Sequence, residues 1–165
     1  MILSKEIAQK KIRRMAMELA ERNHDKPSLI LIGIKENGMV IASKIESFLK
    51  EAFAGSITLI SLTIDKKNPA KIMLSEWPDF NGATIILIDD VANSGRTMLY
   101  SLKPLLEQHP SSIQTVALLE RTYKQFPVAV DYVGHSVATA KDEMIVVEVS
   151  GGEVQGAYLK GRIPE

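Results

Sequence analysis

The chain contains no cysteine, which removes disulfide frameworks and thiolate metal sites from consideration. It has no surplus of charge either. Twenty Lys and Arg balance 20 Asp and Glu, so no global field points to nucleic acid or an acidic membrane. No apolar run approaches the length of a membrane span, and MILSKEIAQKKIRR lacks the apolar centre of a signal peptide, so a cytoplasmic protein without membrane contact is expected. The phosphate loop G-x-x-x-x-G-K-[ST] is missing, which argues against a nucleotide hydrolase built on it. His24, His109 and His135 share no metal-ligand spacing and read as loop or surface residues. No repeat, low-complexity tract or linker interrupts the 165 residues, so one domain spanning 1–165 is expected. With 45% hydrophobic residues it can bury a substantial core.

What is present is concentrated in IILIDDVANSGRT, Ile85 to Thr97. Ile85 to Ile88 read as a strand buried on both faces, whose C-terminal end carries Asp89 and Asp90 to the rim of a sheet. Ala92-Asn93-Ser94-Gly95-Arg96-Thr97 then opens a helix whose free N–H groups attract an anion. Carboxylates beside an anion cradle suit a ligand with both hydroxyls and phosphate, and a sugar phosphate is the simplest. A strand merely ending in solvated Asp residues, with Asp90 starting a turn, is the plainer alternative.

Helices and strands alternate around this run. Ser4 is placed to cap a first helix with Ile12, Met15, Ala16 and Leu19 on one face, ended by Asn23 to Pro27. Leu29 to Ile34 form a buried strand, and Gly33 to Gly38 a tight loop. A second helix then buries Ile41, Ile45, Phe48 and Ala52. Ile57 to Ile64 is the next strand, and Asn81-Gly82 turns into the motif strand. Met98, Leu102, Leu105 and Leu106 mark a helix kinked at Pro104. Thr115 to Leu119, Asp131 to Val133 and Ile145 to Val149 complete the strands, the last of them closing the series. The order predicts an α/β fold, a doubly wound and mostly parallel sheet. In a 2-1-3-4-5 strand order, Leu29–Ile34 lies beside the motif strand. The loops Lys35-Glu36-Asn37-Gly38 and Ala92–Thr97 then face one crevice at the switch point.

The motif resembles the phosphoribosylpyrophosphate (PRPP) site of type I phosphoribosyltransferases. The resemblance implies that Asp89 and Asp90 hold the ribose and act in catalysis, while Asn93, Ser94, Gly95, Arg96 and Thr97 take the 5′-phosphate. GIKENGMVIASKI, Gly33 to Ile45, resembles the family's pyrophosphate loop, with Lys35, Glu36, Asn37 and Gly38 at its centre. PSSIQTVALLERTYKQFPVAVDYVG, Pro110 to Gly134, is similar to a narrower group that combines pyrimidine-operon regulation with uracil phosphoribosyl transfer. The resemblance also implies a small hood after Val133, a homodimer, and Mg²⁺ held mainly by substrate oxygens, with Asp89 or Asp90 reaching it through water.

Two departures carry weight. The narrower group usually has a Thr-Arg pair where Glu36-Asn37 stand, so a cation beside a polyanion is lost and Glu36 adds repulsion, with Lys35 in partial compensation. The group's basic stretch for RNA is replaced by Tyr123, Lys124, Ala129 and His135. Phosphate neutralisation supplies most RNA affinity, so an RNA partner is disfavoured.

Asp65 to Trp77 corresponds to a mobile flap in the family. Lys66, Lys67 and Lys71 would close over pyrophosphate, or are simply solvated on a surface excursion. The base pocket would use Lys141 and main chain around Val146; the alternative makes Lys141 a surface lysine on a turn with Asp142. Trp77 reads as core or packing, and Tyr123 and Phe126 as packing or an interface. The expected function is Mg-dependent transfer of a 5-phosphoribosyl group from PRPP to a nucleobase nitrogen, uracil being favoured. The rival is a non-catalytic regulator that senses PRPP or nucleotide and signals through RNA or a protein.

Overall fold

Ser4 starts the first helix by accepting a hydrogen bond from the Ile7 N–H at 3.3 Å, as its position before an apolar stripe predicts. This computed structural model describes residues 1–161. Strand β1 (Leu3–Ser4) leads into α1 (Lys5–Arg22), which buries Ala8, Ile12, Met15, Ala16 and Leu19 along one face. Asn23 ends the helix: its amide donates to the Leu19 carbonyl (2.9 Å) and exchanges hydrogen bonds with Gln114. Strand β2 (Ser28–Ile34), α2 (Asn37–Ala52), β3 (Ser56–Ile64), β4 (Ile72–Leu74) and β5 (Thr84–Ala92) follow. After the motif come α3 (Arg96–Ser101), α4 (Lys103–Leu106), β6 (Ser112–Arg121), β7 (Tyr132–Val137), β8 (Glu143–Ser150) and β9 (Glu153–Gly161).

The main sheet has the order β4-β3-β2-β5-β6-β7. All neighbours are parallel except β4, which pairs antiparallel with β3. Its five parallel strands therefore run 2-1-3-4-5, as the alternation of elements predicts. The sheet has two covered faces, and β5 shows why its sequence is continuously apolar. Ile86 and Ile88 join the layer formed with α1 and α2, whereas Ile85 and Leu87 join Phe80, Met98 and Leu105 on the other side.

Several features differ from the sequence reading. The helix expected to kink at Pro104 is interrupted outright, as two short helices broken at Leu102, because Pro104 has no N–H to donate and its ring would collide with a preceding carbonyl of a continuous helix. Ile145–Val149 is not the last strand. Gly151 and Gly152, at φ 61° and 73°, make a two-residue turn into β9, and Gly-Gly is a hairpin signal in its own right. Trp77 is 60% exposed; Phe80, three residues on, fills the core position instead.

Strands β8 and β9 with β1 form a separate antiparallel sheet, the hood, in the order β1-β9-β8. The N-terminus thus contributes a strand to a hood otherwise built after Val133. The strand expected at Asp131 begins at Tyr132; at its start the Asp131 N–H donates to the Thr115 carbonyl (3.1 Å) and the Asp131 carboxylate accepts from the Thr115 N–H (2.9 Å). No helix among the described residues is long and apolar enough to cross a membrane.

Candidate active site

The C-terminal ends of β2, β3 and β5 open into a cleft of about 740 Å³, roofed by Met144 to Val147 of the hood. Lys35, Glu36 and Asn37 line one wall, Thr63, Ile64 and Lys66 another, and Asp89, Asp90, Asn93 and Thr97 the floor. Thr63 and Ile64 were not singled out by motif, although their place at a strand end beside β2 would have flagged them. Met144 carries no sequence signal of this kind.

The two acids have different surroundings. Asp89 is buried, and its Oδ1 accepts the Asp90 N–H at 2.8 Å. The first turn of α2 lies against it at Gly38. A β-carbon there would stand 2.9 Å from the Ile88 carbonyl oxygen and 3.1 Å from Asp89 Oδ1, so only glycine allows this approach. Burial, and then the charge of neighbouring Asp90, push the Asp89 carboxyl well above the ordinary range. Asp90 is half-buried and better supplied with donors: the Val91 N–H at 2.8 Å to Oδ1 and the Asn37 amide at 3.1 Å to Oδ2.

Residues Val91 to Met98, with Asp89, wrap a bowl of about 90 Å³ that shares Asp89, Val91, Asn93 and Thr97 with the main cleft. Gly95, at φ 84°, sets the turn that starts α3. Ser94 Oγ accepts the Arg96 N–H at 3.2 Å, and the Ser94 carbonyl accepts from Gln125 and Phe126, both at 3.0 Å. This fixes the loop from behind. Arg96 and Thr97 remain exposed, with the guanidinium 5.7 Å from the Tyr100 ring centre. The bowl therefore offers backbone N–H groups, hydroxyls and one cation to a small anion.

The loop between β2 and α2 is anchored by the Lys35 N–H, which donates to the Leu62 carbonyl at 2.8 Å; the Lys35–Glu36 peptide is cis. Lys35 and Glu36 are both exposed and both border the cleft. Asn37 and Asn93 both line the cleft, and their side chains reach the hood edge. Asn93 donates to the Ile145 carbonyl (3.2 Å) and accepts the Ile145 N–H (3.1 Å), while Asn37 also donates to the Val147 carbonyl (3.0 Å).

The remaining candidates divide. Lys66 and Val146 border the cleft, whereas Lys67, Lys71 and Lys141 are exposed outside its lining. The segment with the three lysines is a hairpin excursion from β3. Asp65 Oδ1 accepts the N–H groups of Lys67 and Asn68, and Ile64 pairs with Ile72 to return the chain. Lys141 sits on the turn beside Asp142.

Comparison with known proteins agrees with this geometry. The phosphoribosyl transferase domain family matches residues 1–150. The bifunctional protein PyrR of Roseiflexus sp. is 33% identical, covering 96% of this chain and 93% of its own. That of Oceanobacillus iheyensis is 31% identical, covering 90% of this chain and 89% of its own. Among solved structures, the hypoxanthine phosphoribosyltransferase of Trypanosoma cruzi shares the fold at a TM-score of 0.80 and 16% identity, over 99% of this chain and 97% of that one. An acid pair at a strand end, a glycine-turned anion bowl behind it and a family match over nearly the whole chain lead to one conclusion: the protein belongs to the phosphoribosyl transferase domain family.

Proposed function

We propose that the chain transfers the 5-phosphoribosyl group of PRPP to a ring nitrogen of a nucleobase, a pyrimidine such as uracil. The C1–O bond to pyrophosphate breaks, a C1–N bond forms, and the base nitrogen gives up its proton. The observation that carries this reading is that Asp89–Asp90, the Ser94–Thr97 bowl and the edge of the hood all open into one cleft. The 5′-phosphate sits in the bowl against Ser94, Gly95, Arg96, Thr97 and the main chain at Asn93. The ribose hydroxyls meet Asp89 and Asp90. The Lys35–Gly38 loop faces the pyrophosphate, and the base lies under Met144 to Val147.

These residues work chiefly by positioning. Holding ribose and base in line removes the entropic part of the barrier. As pyrophosphate leaves, positive charge grows on the ribose ring. Asp90, held by the Val91 N–H and the Asn37 amide, lies ready to stabilise it. Lys66 closes on the leaving group from the β3–β4 hairpin. Mg²⁺ fits the donor set in a limited way. No cluster of three or more His, Cys, Asp or Glu residues occurs among the described residues, so substrate oxygens would supply most ligands and Asp89 or Asp90 a water-mediated one. Bound there, it would act as a Lewis acid on the leaving pyrophosphate.

Incubation with PRPP, Mg²⁺ and a panel of bases, with pyrophosphate release as the readout, tests the reading. Release that depends on uracil supports it. A second reading has one observation in its favour: Glu36, an anion, borders the part of the cleft assigned to pyrophosphate. Tight PRPP binding with no turnover on any base would favour a PRPP-sensing regulator. In either case we propose a cytoplasmic homodimer, as the family resemblance implies.

A further inference from the structure

Strand β8 is the outer strand of the hood, and its unpaired edge faces the acid pair. On β9, Ala157 is turned towards β1, where its carbonyl accepts the Ile2 N–H at 2.6 Å. Backbone groups alternate along an antiparallel pair, so the register Val147↔Ala157 and Ile145↔Leu159 turns the main chain of Ile145 and Val147 away from β9 and into the cleft. Asn93 meets Ile145 with both halves of its amide, at 3.1 and 3.2 Å. Accepting the N–H and donating to the C=O of one residue is what a neighbouring strand would do. It also fixes which way round the amide stands, since the flipped amide would meet neither group. From the other loop, Asn37 joins the Val147 carbonyl to Asp90.

We propose that Asn93 is a positioning residue: its side chain fastens the hood edge to the phosphoribosyl loop and sets the roof of the base pocket relative to the ribose. It is not a phosphate ligand through its side chain. Two short amide side chains, at alternate residues of one strand, connect the hood edge to the two loops that flank the ribose acids. The wall that meets the base is thereby placed by the same residues that shape the sugar site. The significance for base binding rests on the proposed transfer reaction; the fastening itself does not.

Hydrogen exchange at the Ile145 amide, followed by NMR in the protein alone, is paired with titration of ribose 5-phosphate. Asn93→Ala should speed Ile145 exchange on the order of three- to tenfold, the effect of one lost hydrogen bond. Ribose 5-phosphate affinity should stay within about threefold, as no side-chain contact to the anion is removed. Asn93→Leu keeps the size but offers the Ile145 N–H no acceptor, so it should exchange as fast as Asn93→Ala, whereas a merely bulk effect at residue 93 predicts exchange as slow as wild type. In turnover, Asn93→Ala should raise KM for the base more than it lowers kcat. Ile145 exchange unchanged in Asn93→Ala, or a tenfold or larger loss of ribose 5-phosphate affinity with Ile145 still protected, would overturn the proposal. The exchange measurement precedes any turnover. A protein that transfers nothing therefore still decides it.

Discussion

Gly38 lies against Asp89 so closely that a β-carbon on the glycine would stand 3.1 Å from the carboxylate oxygen and 3.0 Å from the Asp89 α-carbon. The Asp89 α-carbon and the Ile88 carbonyl oxygen, 2.9 Å from the same position, are main chain of β5 and cannot swing away as the end of a side chain can. Gly38→Ala should therefore push α2 off the strand end and open the acid pair to water. Overpacking of this kind costs about 1–3 kcal/mol, which denaturant titration will register. PRPP affinity should fall with it, because the loop ahead of α2 moves too. Wild-type stability and affinity in this variant would mean that the contact is slack.

Asp89 is raised and its unfolded counterpart is not, so its effect on stability has a definite sign. Between the two pKa values the folded state holds the proton more firmly. Stability is favoured below the unfolded aspartate value and lost as pH rises through the folded one. Asp89→Asn removes the cost of an ionised buried carboxylate. It should raise Tm at pH 8 by several degrees over wild type, and the gain should shrink towards zero near pH 4, close to the ordinary aspartate pKa of about 3.9. Thermal melts across that range check it, and a gain that is flat with pH would remove the buried charge as its source. Binding should move the opposite way: Asp89→Asn with Asp90→Asn should abolish PRPP affinity while circular dichroism shows the fold intact.

Much of this architecture is legible in the residues, for physical reasons that also say what is not. The parallel sheet shows because a strand covered on both faces must be continuously apolar, as Ile85–Ile88 and Leu29–Ile34 are. The acid pair and anion bowl show because their chemistry is local, thirteen residues long and in register. Side-chain direction across the cleft is not local. Nothing in the sequence around Asn93 says that its amide meets Ile145, 52 residues away, instead of an anion. Trp77 misled because size and apolarity favour burial, whereas the turn before β5 buries Phe80. Strand β9 has a polar outer face and one signal, Gly151-Gly152, that is easily passed over as a loop.

The β3–β4 hairpin separates three lysines that sequence alone treats alike. Lys66 borders the cleft, whereas Lys67 and Lys71 lie outside its lining. Lys66→Ala should weaken PRPP binding roughly threefold to tenfold at low salt, and less at high salt, since an exposed charge is screened. Lys67→Ala and Lys71→Ala should each change affinity by under about twofold on the same grounds. Calorimetric titrations at two ionic strengths distinguish them. Equal losses for all three would mean that the hairpin closes as a whole, with its lysines sharing the anion.

Glu36 makes the opposite prediction. It is exposed, borders the cleft next to Lys35, and makes no capping hydrogen bond at the start of α2, so its removal leaves no partner unsatisfied. Glu36→Gln keeps the size and takes away one negative charge from the wall proposed to face pyrophosphate. At an effective dielectric typical of a protein surface, like charges several ångströms apart repel by roughly 1–3 kcal/mol before salt screening. Inorganic pyrophosphate should therefore bind the variant about three- to tenfold more tightly at low salt. The gain should be largest without Mg²⁺, which neutralises the same oxygens. If the wild type binds pyrophosphate as tightly as Glu36→Gln, the carboxylate points away from the polyanion. Its place in the loop would then be no obstacle to catalysis.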